Sequence, residues 1–317
     1  MKKFLKVSGI VLAVLVVLFA IFSVFMGKYV ADRILYQNAE NDTVSNSVKQ
    51  LELWGYDLDS FYSTYGYGVT GSAVASDGNE VPFTVYENGP SYVVLVHGAG
   101  GDRVSVYPMA EQYLSRGYSV IAIDQRGSGA NPDDRVTFGI LESLDVEAAV
   151  SYARSSLGAT SVIVHGQSMG AQTTAIYASN VAVGSSGCAD AVICDSPVPG
   201  MEAILRLMFG DGPEGAYSPL TNYLIFTSKT YMSVAYGISF SSADTAAVVA
   251  SDTLPTLVIV SSRDEVCLPD MVEDVYDNIG TDDKEIMYVD SAHVGGVIDD
   301  PDGYMAGVMS FLGEYGL

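Results

Sequence analysis

Positive charge, histidine and cysteine are all scarce in this chain. Only 15 of its 317 residues are lysine or arginine, against 38 acids, and the formal net charge is −23. A surface this acidic repels phosphates, and no basic stripe exists to release counterions, so nucleic acid is excluded as a partner. Cys188, Cys194 and Cys267 are too few to staple such a length, which excludes a disulfide scaffold. Their odd number leaves at least one free thiol, and Cys194 and Cys267 read as packing residues. Charged residues make up only 17% against 49% hydrophobic, which excludes a disordered chain. Zinc spacing, a phosphate loop and a calcium loop are all missing. The acid clusters at 282–283 and 299–302 read as solvated turns, so no metal and no cofactor are expected.

What the chain does hold is unevenly spread. Val7 to Met26 is an apolar run without charge, interrupted only by Ser8, Gly9 and Ser23. That length matches a bilayer-spanning helix. Lys2, Lys3 and Lys6 precede it and no acid occurs before Asp32, so charge bias places the N-terminus in the cytoplasm and the rest outside. The run ends in Phe22-Ser23-Val24-Phe25-Met26-Gly27, a poor cleavage site, which favours an uncleaved anchor over a cleaved signal and a secreted product. A buried core helix is the third reading. The expected organisation is a membrane anchor at 1–27, a helical lead-in at 28–65 and a large domain at 66–317. Beyond the anchor stand 12 bases and 38 acids, a net of −26, and that acidity reads as solubility outside the cell.

From residue 66 the chain alternates. Two stretches with apolar–polar alternation flank Asp77-Gly78-Asn79, a hairpin signal. Continuous Val- and Ile-rich runs follow at 92–97, 119–124, 161–166, 190–195, 256–262 and 285–290. Such runs suit strands buried on both faces of a parallel sheet. Helical stretches lie between them, near 104–116, 139–156, 169–182, 267–280 and 302–315, which predicts an α/β fold with a mostly parallel sheet flanked by helices. The rhythm breaks between Pro197 and Pro255. A helical lid insert is expected at about 198–252, with Met201, Leu205, Met208 and Phe209 touching substrate; ordinary helices on the sheet edge are the alternative.

Gly166-Gln167-Ser168-Met169-Gly170 follows the run at 161–165 and opens a helical stretch. A serine on so sharp a strand-to-helix turn stands exposed, and the flanking glycines let the chain turn there. Serine is a weak nucleophile and needs a base, itself oriented by an acid. Of the three histidines, His97 ends a strand and braces a loop, and His165 lies within a strand. His293 comes after both Ser168 and a suitable acid, the chain order for this elbow. Asp264 is the chosen acid, with Glu265 and Asp290 as other candidates. Backbone donors for an oxyanion are expected at Met169, after the nucleophile, and at Ala99, in the Gly98-Ala99-Gly100 loop.

These motifs resemble the α/β-hydrolase superfamily from about Gly66 to Tyr315. They look most like bacterial membrane-anchored serine hydrolases of the bud-emergence-protein type. The resemblance rests on His97-Gly98-Ala99-Gly100-Gly101, Asp124-Gln125-Arg126-Gly127-Ser128-Gly129, Thr137-Phe138-Gly139 leading to Glu142 and Asp145, the elbow, and the Asp264 and His293 loops. It implies Ser168 as nucleophile, Asp264 as acid, His293 as base, and Ala99 and Met169 as oxyanion donors. The expected activity is hydrolysis of carboxylic esters, with thioesters and amides behind them, on a small-molecule or lipid-like acyl substrate. A serine peptidase or acyltransferase on the same fold, and a non-catalytic cell-surface binding domain, are the rival readings.

Overall fold

Strands that are apolar on both faces need cover on both, and the helices between them supply it. The computed structural model describes residues 2–208 and 218–317. Strands β1 (Val69–Val74), β2 (Glu80–Tyr86), β3 (Ser91–Val96), β4 (Ser119–Ile123), β5 (Ser161–Gln167), β6 (Ala191–Asp195), β7 (Thr256–Ser261) and β8 (Lys284–Val289) form one sheet, ordered β1-β2-β4-β3-β5-β6-β7-β8. The hairpin β1–β2 is antiparallel, with Val69 opposite Val85, and β2 runs antiparallel to β4. All later pairings are parallel. This is the α/β-hydrolase fold.

The helices are α1 (Lys2–Leu35), α2 (Thr43–Leu53), α3 (Leu58–Tyr65), α4 (Tyr107–Leu114), α5 (Glu142–Ser156), α6 (Met169–Asn180), α7 (Met201–Met208), α8 (Pro219–Tyr231), α9 (Thr245–Val248), α10 (Pro269–Asn278), α11 (Gly296–Asp299) and α12 (Pro301–Glu314). Two cores result, one on each face of the sheet. Leu95, Ile163, Ile193 and Ile259 point to one face, against Met109 and Tyr113 of α4 and Phe311 of α12. Their strand neighbours Val94, Val164 and Val192 point to the other, against Val146 and Val150 of α5 and Tyr177 of α6. The period-2 geometry of a strand thus serves both layers at once. The aromatic end of the lead-in joins the first core: Phe61 of α3 is fully buried and stacks on Tyr107, with centroids 4.8 Å apart.

The described residues fall into two units. The larger holds the sheet and spans residues 36–201 and 241–317. The smaller combines the chain up to Leu35 with the described residues between Glu202 and Phe240. Its long helix runs unbroken past Gly27, the expected end of the anchor. The residues beyond, Lys28 to Leu35, contain no breaker, and Lys28 pairs with Asp32 one turn on. Lys6–Leu35 is long and apolar enough to cross a membrane or to serve as a signal sequence. Within this unit α8 lies along α1. The Phe19 and Tyr223 rings meet at 5.9 Å, and Tyr223 Oη donates to Ser23 Oγ at 2.9 Å. The two helices touch at Gly27, where a Cβ would stand 2.5 Å from the Thr227 carbonyl oxygen.

The turn after β4 is built on one buried cation. Arg126 donates to Asp77, Asp133 and Asp145, at 2.8, 3.1 and 2.9 Å. Burial raises the Asp145 carboxyl to about 6, despite that guanidinium and a hydrogen bond from Asn79. In the unfolded chain the same group titrates near 3.8. Between these values the folded state binds the proton more tightly, so this group's contribution to stability declines as pH rises from about 4 to about 6. Asp145→Asn removes that titration, so its unfolding temperature should fall less steeply across this window than the wild type's. Parallel curves would contradict the assignment.

Candidate active site

Ser168 sits between the end of β5 and the start of α6, with φ 56° and ψ −119°. A non-glycine residue persists there only when its surroundings over-determine it. Two contacts do so. A Cβ on Gly166 would lie 2.1 Å from the Gly170 carbonyl oxygen, and one on Gly170 would lie 2.1 Å from that of Val96. The helix therefore starts hard against the strands. Ser168 N–H donates to the Asp195 carbonyl at 2.9 Å, and its carbonyl accepts from Gln172 at 3.0 Å.

His293 lies in the loop after β8. Its Nε2 is 2.8 Å from Ser168 Oγ and its Nδ1 is 2.7 Å from Asp264 Oδ2. Asp264 follows β7, and its other oxygen accepts from the Val266 and Cys267 N–H groups, both at 2.8 Å. Burial alone would raise this carboxyl. The hydrogen bonds from His293 and the two backbone amides outweigh it, so its pKa lies below the usual value. An ionised Asp264 can only accept, so Nδ1 carries the proton and Nε2 is left to accept from the serine hydroxyl. The other acids stand apart: Asp290 is exposed and pairs with Arg263, and Glu265 is exposed.

Met169 opens α6, where helix geometry leaves its N–H without an intrahelical acceptor. Ala99 belongs to the glycine loop after β3. His97 braces that loop: Nδ1 is 2.7 Å from the Gly98 carbonyl oxygen, and Nε2 accepts from the Gln125 N–H at 3.1 Å. Beneath the elbow runs a buried polar chain. Tyr113 and Tyr304 hydroxyls flank His165 at 2.9 and 3.1 Å, and Tyr304 donates to Asp195 at 2.9 Å. Burial lowers His165 to about 3, which keeps it neutral.

A cavity of about 430 Å³ opens over Ser168 and His293. Beyond the glycine loop, its walls include Asn46, Gln50 and Trp54, all from the lead-in. The spacing i, i+4, i+8 on α2 and its cap carried that information, but no chemistry in the sequence tied it to the elbow. Two of the four residues expected to touch substrate are packed away from solvent. Met201 and Leu205 are buried, at 0% and 3% exposure, and Met201 is not among the cavity walls. Their side chains are spent on packing along an amphipathic helix. Phe209, and the side chain of Met208, lie outside the described residues.

Comparison with known proteins agrees with the fold. A family model described as the alpha/beta hydrolase fold matches residues 92–213. The chain is 26% identical over 202 residues to the uncharacterized protein YqkD of Bacillus subtilis, covering 62% of this chain and 61% of that one. It is 28% identical over 222 residues to a thermostable monoacylglycerol lipase of Bacillus sp. strain H-257, covering 66% and 84%. The esterase Pf2001 of Pyrococcus furiosus superposes with a TM-score of 0.63 at 20% identity, covering 82% of this chain and 95% of that one. These matches reach a superfamily; they do not single out the membrane-anchored bud-emergence type that the motifs resemble.

Proposed function

We propose that this chain, an enzyme that belongs to the α/β-hydrolase superfamily, cleaves carboxylic esters through an acyl-enzyme on Ser168. The observation that carries the reading is the unbroken line from Ser168 Oγ through His293 to Asp264, at 2.8 and 2.7 Å. Within hydrogen-bond reach, His293 Nε2 takes the hydroxyl proton as the oxygen attacks the acyl carbonyl. Charge moves to the carbonyl oxygen, where the N–H groups of Met169 and Ala99 receive it. Asp264 holds the imidazole in the required tautomer and stabilises the imidazolium. His293 then hands the proton to the departing alcohol. Water, deprotonated by the same nitrogen, releases the acid.

Ester chemistry is favoured over amide or transfer chemistry by the similarity to a monoacylglycerol lipase. We further place the chain at a membrane through α1, with its N-terminus in the cytoplasm and the sheet outside. The test is a fluorophosphonate added to the full chain in detergent. One phosphonyl group per chain, on the peptide that holds Ser168, is expected. A chain that stays unmodified, or is modified elsewhere, sinks the proposal.

A further inference from the structure

The helix ahead of the sheet does more than lead in. Asp42 caps α2 by accepting from the Ser45 N–H at 3.0 Å. One stripe of the helix, Thr43, Ser47 and Leu51, is buried. Ser47 Oγ accepts from the Asp102 N–H at 2.8 Å, and Thr43 Oγ1 accepts from the Gly129 N–H at 2.9 Å. These bonds fix the rotation of the helix. The next stripe, Asn46 and Gln50 with Trp54 at the C-cap, is thereby turned to the cavity. Asn46 Nδ2 donates to the Gly100 carbonyl at 3.2 Å, which ties the stripe to the glycine loop. The Gln50 carboxamide and the Trp54 indole N–H have no hydrogen-bond partner among the described residues. Apart from His293, the described walls carry no ionisable side chain.

We infer that this stripe is the alcohol subsite, and that the alcohol is a neutral polyhydroxy compound. The inference rests on the ester-hydrolase reading and names its substrate class. A carboxamide offers hydroxyl groups both a donor and an acceptor. The indole adds an apolar face with a polar edge, which suits a group that alternates C–H and O–H. A charged alcohol would enter a cavity with no counter-charge on its described walls, and a bare alkyl alcohol would gain no hydrogen bond from the exposed Gln50 amide. A group rich in hydroxyls is also one that is readily esterified. It belongs on the alcohol side of the bond, where His293 returns the proton.

The test compares kcat/KM of the full chain for three acetate esters: 6-O-acetylglucose, 1-acetylglycerol and ethyl acetate. Both polyhydroxy esters should exceed ethyl acetate by about tenfold or more, the size of one or two net hydrogen bonds. Trp54→Ala and Gln50→Ala should each lower that ratio about tenfold, through KM more than kcat. A larger loss for the glucose ester in Trp54→Ala would point to a sugar ring on the indole; equal losses would point to a glycerol-like chain. Lys49→Ala, exposed on the same helix and outside the cavity walls, should keep the wild-type ratio. Ethyl acetate cleaved as well as the other two, or a ratio that survives both substitutions, overturns the subsite. A chain that takes up fluorophosphonate yet shows a flat ester profile loses only this inference. One that neither labels nor releases acetate loses the hydrolase reading with it.

Discussion

Ser168→Ala should lower kcat for p-nitrophenyl acetate by at least about 10⁴-fold and abolish fluorophosphonate labelling. The magnitude follows from what the side chain does. Without the oxygen no acyl-enzyme forms, and the remaining cavity offers only binding and oxyanion stabilisation to a direct attack by water. The fold should survive. Alanine removes one hydroxyl from a residue whose backbone is held by the Asp195 carbonyl and the Gln172 amide. Near-wild-type unfolding with no turnover is therefore the expected pair of results. Turnover within tenfold of the wild type would show that another residue attacks the ester. His293→Ala should lose activity to a similar degree, and the double variant scarcely more, because the two groups act as one unit.

The second large effect concerns stability. Arg126→Ala leaves Asp77, Asp133 and Asp145 facing one another without their cation, Asp145 being fully buried. Breaking a buried pair from one side costs about 3–5 kcal/mol. For a domain of this size that lowers the unfolding temperature by roughly 10 °C. Arg126→Lys should recover little of it. A lysine ammonium is a compact point charge, whereas the guanidinium spreads its donors in a plane wide enough for three carboxylates. Thermal unfolding followed by circular dichroism decides the matter. A lysine variant as stable as the wild type would show that charge alone suffices.

Much of this was legible in the sequence, for a physical reason. Strands buried on both faces must be apolar throughout, so the runs at 161–166 and 256–262 betrayed β5 and β7 with little ambiguity. The elbow was legible because two glycines are demanded by backbone contacts at 2.1 Å, and such contacts tolerate no other residue. Asp264 was nameable from its place after β7. What stayed hidden depended on partners far apart in the chain. Arg126 stood out only as part of a glycine-rich motif, and no local pattern says that Asp77, 49 positions earlier, would meet it. Trp54 and Gln50 carry an ordinary helical spacing, and only the docking of α2 on residues 102 and 129 turns them toward the serine. The long insert was harder to read. Its apolar residues signalled a wall for substrate, but Met201 and Leu205 are buried in packing.

The seam between α1 and α8 bears on how the protein is handled and matured. Tyr223 rests on Phe19 and Ser23, Thr227 crosses Gly27, and Tyr236 donates to Asp32 at 2.5 Å. The N-terminal helix is therefore a tailored filler for α8 as well as a length of apolar chain. A fragment trimmed after Leu35, by a peptidase or by a cloning boundary, would leave that tyrosine-lined strip without its cover. Adhesion of the trimmed product to itself or to detergent would then report a missing intramolecular neighbour.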